Sequence, residues 1–309
     1  MTEAVELDGA VRVQVPGKVN LNLTVGPRRE DGYHELITLF MAVSLYDHVT
    51  ATPARRGRLT LEVFGDSADS VPTDMSNLAL KAADLLRSRY GTPDLGAHLA
   101  IEKRIPVAGG MAGGSADGAA ALLACATLWG LDVGHAELLD LAAELGSDVP
   151  FALIGGCALG TGRGEKLAPA LCKGSYEWVF ALSHGTVSTP AAFKDFDTYH
   201  EGAFLMRTPE RLMKALASHD LDQMRHFLHN DLAHSAIRLC PGVNEVLDEG
   251  LDIGGLASIV SGSGPTVAFL CADAEDAIEL TVGLSTMPQV RAVHRAKGPV
   301  QGARVVPLV

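Results

Sequence analysis

Nowhere in the 309 residues does an apolar run approach the ~20 needed to span a bilayer, and no Cys-x-x-Cys pair occurs. The first absence argues against a membrane-spanning helix. The five cysteines, Cys125, Cys157, Cys172, Cys240 and Cys271, are odd in number and dispersed, mostly among apolar neighbours. They read as reduced core thiols of a cytoplasmic protein, and structural zinc has no ligand spacing to use. His219, His226, His229 and His234 lack the acidic-histidine zinc signature and read as a polar helix face. Positive charge is scarce as well: 25 Lys and Arg against 37 Asp and Glu leave a net charge of −12. That balance argues against a general nucleic-acid or anionic-membrane surface, so any site for an anionic ligand must be built locally. Residues 1–10 are acidic and mixed, unlike a signal peptide or an Arg-rich transit peptide. There is no internal repeat and no low-complexity segment. The length suggests about two globular domains with substantial cores.

Two familiar nucleotide-binding signatures are missing. No Gly-Lys-Ser/Thr ending marks a Walker A loop, and no Gly-x-Gly-x-x-Gly follows a first strand. What is present is Pro106-Val107-Ala108-Gly109-Gly110-Met111-Ala112-Gly113-Gly114-Ser115-Ala116-Asp117-Gly118, between a strand-like segment over 97–105 and an Ala/Leu-rich helical run over 116–128. Glycine lets backbone N–H groups close on a ligand and makes positive φ cheap. Ser115 reads as the N-cap where the helix starts. Unpaired N–H groups and the positive end of the helix dipole then face one point, which describes an anion site, most simply for phosphate. A tight strand-to-helix turn with close packing is the alternative.

Along the chain, residues 11–25 alternate as β structure broken at Pro16-Gly17, and 36–49 and 58–64 read as further strands. Helical patterns cover 77–90 and 136–145. Beyond them, 178–183, 266–271 and 303–306 read as strands, and 209–217, 221–227, 243–250 and 275–285 as helices. The mixture lacks strict βαβ alternation, which favours an α+β fold over a doubly wound sheet. Gly162-Arg163-Gly164-Glu165 is the candidate interdomain segment, dividing the chain into 1–165 and 166–309.

Other segments gain meaning from their neighbours. Lys18 and Asn20, two apart in an apolar strand, point to one face. Alone, Lys18 reads as a solvated edge residue. Arg28–His34 is a basic, aromatic-tipped loop that suits a planar charged ligand, or simply a hairpin turn. Asp148, in Gly146-Ser147-Asp148-Val149-Pro150, is by itself a helix N-cap ahead of a proline.

Taken together and in this order, Pro16-x-Lys18-x-Asn20-x-x-Leu23, Arg29-x-Asp31-Gly32-Tyr33-His34, the glycine loop, residues 146–150 and Ser261-Gly262-Ser263-Gly264-Pro265 resemble the galactokinase, homoserine kinase, mevalonate kinase and phosphomevalonate kinase superfamily. Asp-Gly-Tyr-His resembles the branch whose acceptor is 4-diphosphocytidyl-2-C-methyl-D-erythritol. The resemblance implies a two-domain small-molecule kinase with its active site in the cleft between domains. Residues 1–165 would be an ATP-binding domain like ribosomal protein S5, and 166–309 a substrate-binding α/β domain. It implies ATP and Mg²⁺, phosphorylation of the acceptor's 2-hydroxyl in the mevalonate-independent isoprenoid route, and no nucleic-acid or membrane partner. The subunit would be a monomer or weak homodimer.

Residue by residue, the resemblance makes Lys18 and Asp148 catalytic and residues 106–116 the phosphate cradle. It brings Asn77 and Lys103 to the adenine and ribose, and Asn20 and Thr189 to the erythritol or phosphate part. Tyr33 and Phe193 would flank the cytosine, with His34 on its edge, although Phe193 also reads as an ordinary core aromatic. Ser261–Pro265 would support the active-site loops. Two departures stand out: Ala112 replaces a loop glycine and Ala116 a second serine. Alanine tolerates helix-like dihedrals, so the loop is expected to keep its shape, while a hydroxyl that could approach Mg²⁺ is lost; the metal ligands stay unassigned. The competing readings are a sister small-molecule kinase, whose substrates would have no base to stack on Tyr33 and Phe193, and a non-catalytic ligand-binding protein on the same fold.

Overall fold

Val13, Val15, Val19, Leu21, Leu23 and Val25 are buried along one unbroken strand, β1 (Val11–Arg28), of the computed structural model, which describes residues 9–90, 92–200 and 204–308. Residues 1–8 of the acidic opening segment lie outside the described residues. Pro16-Gly17 does not break the strand as the alternation implied; the register shifts there and again between Asn20 and Asn22. A bulge tolerates the missing proline donor and re-aims the side chains after it. Lys18 and Asn20 alternate with the valines and so face away from them.

In chain order follow β2 (His34–Pro53), β3 (Leu59–Gly65), α1 (Leu78–Arg89), β4 (Ala97–Lys103), α2 (Gly113–Leu128), α3 (His135–Leu145), α4 (Val149–Ile154), β5 (Cys157–Thr161) and β6 (Lys166–Pro169). The second half holds β7 (Tyr176–Ser183), α5 (Thr189–Tyr199), α6 (Glu210–Ser218), α7 (Leu221–Phe227), β8 (His229–Asn230), α8 (Ala233–Leu239), α9 (Gly242–Ile253), β9 (Ala257–Val260), β10 (Thr266–Cys271), α10 (Ala274–Leu284), β11 (Val290–Gly298) and β12 (Arg304–Val306). The first sheet runs β12-β1-β2-β4-β3, with β5 and β6 added beside β2 and the short β8 parallel to β1. The second is antiparallel, β11-β7-β10-β9. This is the α+β class.

The division expected at residue 165 needs correction. Thr161 pairs with Lys166 across a hairpin, so Gly162–Glu165 is a turn within the first sheet. Gly162 and Gly164 hold φ of +72° and +103°, which is why this short segment can reverse. β8 and β12 also return to the first sheet from the second half of the chain.

α2 fixes the loop from below. From Ala116 to Ala126 every residue but Leu123 is buried, a helix apolar all round except at Asp117 and therefore central. Its small side chains admit close neighbours: a Cβ on Gly118 would sit 3.3 Å from Leu78 Cβ at the start of α1. The second sheet is packed as tightly. A Cβ on Gly250 of α9 would lie 2.3 Å from the Phe269 ring of β10. Gly250→Ala is expected to cost about 1–3 kcal/mol by overpacking, read by thermal or urea denaturation; unchanged stability would show that α9 shifts freely.

Candidate active site

The loop between β4 and α2 holds Ala108, Gly110 and Ala112 at φ of +55°, +70° and +59°. Alternate residues with positive φ turn successive N–H groups into one concavity. The helix begins at Gly113, not at 116, so Ser115 lies inside the first turn and is not its N-cap. Ala112 holds the N-cap position, and no side chain caps the helix. The N–H groups of Gly113, Gly114 and Ser115 therefore have no partner within the helix and face the cleft with the positive end of its dipole. Ala112 is left-handed (φ 59°, ψ 32°), contrary to the helix-like dihedrals expected of it. The chain must reverse direction between loop and helix, and the reversal falls on this residue.

Two contacts pin the loop crest. Lys18 Nζ donates to Gly110 O at 2.7 Å and the Lys18 backbone N–H to Met111 O at 3.2 Å. From the other side, Ser261 Oγ donates to Gly110 O at 3.2 Å. A Cβ on Gly110 would lie 1.9 Å from Ser261 O, so only glycine fits. Ser261–Pro265 thus abuts the loop as expected, and Asn230 Nδ2 holds the motif through Val260 O and Gly262 O, both at 2.7 Å.

Lys18 and Asn20 share a face: Lys18 Nζ donates to Asn20 Oδ1 at 2.6 Å, and Asn20 Nδ2 to Thr38 Oγ1 at 2.8 Å. Lys18 is buried, and loss of solvation lowers its pKa below the ordinary lysine value while the Asp148 carboxylate works in the opposite sense. Asp148 occupies the N-cap position of α4 with no side-chain capping bond. Among the described residues its carboxylate has no hydrogen-bond or ion-pair partner within the protein, and it lines the cleft.

Asn77 and Lys103 line the same cleft, but their polar groups are engaged inside the protein. Asn77 Oδ1 accepts from Ala79 N–H to cap α1, and Nδ2 donates to Pro72 O. Lys103 Nζ is bound to Asp47 and, at 2.8 Å, to Asp117. Burial opposes that ammonium, yet Asp117 and Asp47 carry its pKa above the ordinary value. Burial likewise pushes the Asp117 carboxyl well up.

At the far end His34 stacks on Phe193, centroids 5.0 Å apart and planes 17° from parallel. His34 Nε2 lies 2.7 Å from Asp197 Oδ1. With Nε2–H donating to Asp197, Nδ1 of the neutral ring is left as an acceptor. Tyr33 is half-exposed, with the Arg163 guanidinium 4.9 Å from its ring centroid. Phe193 is therefore engaged with His34 while Tyr33 is covered by Arg163. Thr189 Oγ1 lies 3.0 Å from Ser263 Oγ. All these groups line one cavity of about 980 Å³ between the two sheets. Asp117 and Ser263 lay within motifs read from the sequence but without roles of their own, and Arg163, Asp197 and Asp47 had none. Of the last three, Arg163 carried a signal, a cation held between two turn-forming glycines.

The family model for the GHMP kinases N terminal domain matches residues 77–156, and that for the GHMP kinases C terminal matches 212–287. A protein of Mycolicibacterium gilvum named 4-diphosphocytidyl-2-C-methyl-D-erythritol kinase is 52% identical, covering 97% of this chain and 94% of its own. One of the same name from Streptomyces coelicolor is 50% identical, covering 96% and 99%. The crystal structure of a 4-(cytidine 5'-diphospho)-2C-methyl-D-erythritol kinase superposes with a TM-score of 0.75 at 32% identity, over 94% and 99% of the two chains. Homoserine kinase from Cytophaga hutchinsonii reaches the same TM-score at 18% identity, over 99% of both chains, and shares the fold.

Left-handed alanine carries a cost of about 1–2 kcal/mol relative to glycine, offset in part by the freer unfolded glycine chain. Ala112→Gly is accordingly expected to raise stability by up to about 1 kcal/mol without weakening nucleotide binding, measured by denaturation and calorimetry. A net loss of stability would show that Ala112 bears no strain.

Proposed function

The chain belongs to the GHMP kinases and, within them, to the 4-diphosphocytidyl-2-C-methyl-D-erythritol kinases, and from that membership we propose how its cleft performs the reaction. ATP phosphorylates the 2-hydroxyl of 4-diphosphocytidyl-2-C-methyl-D-erythritol, giving the 2-phosphate and ADP in the mevalonate-independent route to isoprenoid precursors. The observation that carries the assignment of roles is the uncommitted Asp148 carboxylate beside the buried Lys18, at the mouth of a ring of unpaired N–H groups.

Phosphoryl transfer asks mainly for positioning and charge neutralisation. The N–H groups of the loop over 106–116 receive the ATP phosphates. Lys18 stabilises charge on the transferring group, with Asn20 orienting its ammonium. Asp148 accepts the proton of the acceptor hydroxyl or orients that hydroxyl for attack. Asn20 and Thr189 border the erythritol, and Asn77 shapes the adenine end by holding α1. Tyr33, His34 and Phe193 form the cytosine pocket, where His34 Nδ1 accepts from the exocyclic amine and Arg163 backs Tyr33.

Ala116 offers no hydroxyl, so at the start of α2 the side-chain oxygen on the cleft wall that could reach Mg²⁺ is that of Ser115. So small a protein set suits an ion that keeps waters and binds mostly phosphate oxygens. When bound, Mg²⁺ would neutralise the phosphate oxygens during transfer. No described helix is long and apolar enough to cross a membrane; a cytoplasmic location is inferred from the reduced cysteines.

A coupled ADP-release assay with MgATP, comparing the cytidyl substrate with homoserine and mevalonate, tests the assignment: turnover is expected with the first alone. Activity with another alcohol would discard the cytosine pocket, and silence with all three would leave a binding protein. Asp148→Asn is expected to lower kcat by about 10²–10⁴ while ATP still binds; wild-type turnover would remove Asp148 from the mechanism. Because burial lowers the Lys18 pKa, kcat/KM is expected to fall on the alkaline side below the ordinary lysine value of about 10.4. An arginine stays protonated there, so Lys18→Arg should flatten that limb in whatever activity remains.

A further inference from the structure

Lys103, expected near the adenine and ribose, is bound instead to Asp47 and Asp117, and none of the three enters the roles proposed above. Their side chains are only 1%, 0% and 3% exposed, so three ionisable groups sit together almost wholly buried beneath the phosphate loop, with Lys103 and Asp117 at the cleft wall. Such clusters add little net stability compared with apolar residues of similar volume. One Asp117 oxygen, Oδ1, has no hydrogen-bond partner among the described residues. What the cluster does supply is direction. Asp47, on β2, accepts through Oδ1 from the N–H groups of Arg104 at 2.6 Å and Ile105 at 2.8 Å, the two residues that lead from β4 into the loop. Its other oxygen is bound to Lys103 Nζ, which also donates to Asp117 in the α2 segment that leaves the loop. A Cβ on Gly113 would lie 3.1 Å from Lys103 Nζ, so the ammonium rests against the first residue of the helix. No side chain caps α2, and this is the polar tie on its first turns.

We propose that Lys103, Asp47 and Asp117 form a buried ion triad that staples the entry and exit of the phosphate loop to β2 and thereby aims its N–H groups at ATP. Lys103 and Asp117 are positioning residues: they act on the nucleotide through the loop and do not touch it. The proposal rests on the kinase reading only in taking ATP as the ligand.

The test is Asp117→Leu, which removes the tie to Lys103, beside Asp117→Asn, whose amide oxygen keeps it. ATP binding is measured by calorimetry, the KM of each substrate by the ADP-release assay, and folding by circular dichroism and melting temperature. Asp117→Leu is expected to weaken ATP binding by about 10- to 100-fold, with the KM for the cytidyl substrate unchanged, and Asp117→Asn to restore most of the affinity. Should the leucine variant not fold, Asp117→Ser, which is shorter and polar, breaks the same bond. Overturning results are ATP affinity like that of the wild type in a folded variant lacking the tie, or equal loss of affinity for both substrates in step with the melting temperature. Calorimetry needs no acceptor, so weakened ATP binding in a protein whose wild type turns over none of the alcohols would uphold the triad and reject the kinase reading separately.

Discussion

The approach of the phosphate loop to the Ser261 turn, closed to the point where Gly110 has no room for a Cβ, is the constraint that the rest of the molecule serves. One side of that contact grows out of the first sheet through β4 and α2, the other out of the second through β9 and β10. Where they meet, Gly110 O takes donors from both Lys18 and Ser261. The contact fixes the distance between the two sheets on this side and leaves the cleft open on the other. Asn230 extends the same logic: pinned by β8 to β1, it holds two carbonyls of the Ser261 turn. The groups that would receive ATP and those that would receive its acceptor are thus anchored to a common backbone junction.

A protein of net charge −12 that binds a polyphosphate must hide its own field at one spot. It does so first with backbone dipoles, which carry no desolvation penalty comparable to that of a buried ion, and then with few cations. Lys18 and Lys103 are the buried ones, and Lys103 is matched by Asp47 and Asp117; Arg28, Arg163 and Lys194 line the cleft farther out. Because the field is local, substitution of remote acids should matter little for nucleotide binding, whereas small rotations of the loop should matter greatly.

Much of this was legible in the sequence where a residue type and its geometry coincide. Lys18 and Asn20, two apart on a strand, do share a face and a hydrogen bond. The glycines of the loop do open N–H groups to the cleft, and Ser261–Pro265 does abut them. What was not legible depends on long-range partners. α5, α8 and β11 were missed because packing, not periodicity, defines them; α5 puts Phe193 on His34 and Asp197 on its Nε2. Asp47 lies in an unremarkable strand and gains meaning only when Lys103 arrives from β4. Gly162–Glu165 looked like a linker because glycine marks turns without saying whether a turn joins domains or adjacent strands.

The same long-range bonds leave one carboxylate of the cleft uncommitted. Three carboxylates line the cleft: Asp117, Asp148 and Asp197. Asp117 is tied to Lys103, and Asp197 holds His34. A carboxylate engaged in this way cannot take a proton from a substrate without first giving up a partner, which raises the barrier by the strength of that bond. Asp148 alone carries no such obligation, and the turn that presents it is set by Pro150 rather than by a capping bond from its own side chain. Leaving a helix start uncapped forgoes about 1 kcal/mol. That cost is intelligible if the oxygen that could have capped α4 is kept free for a hydroxyl beside Lys18.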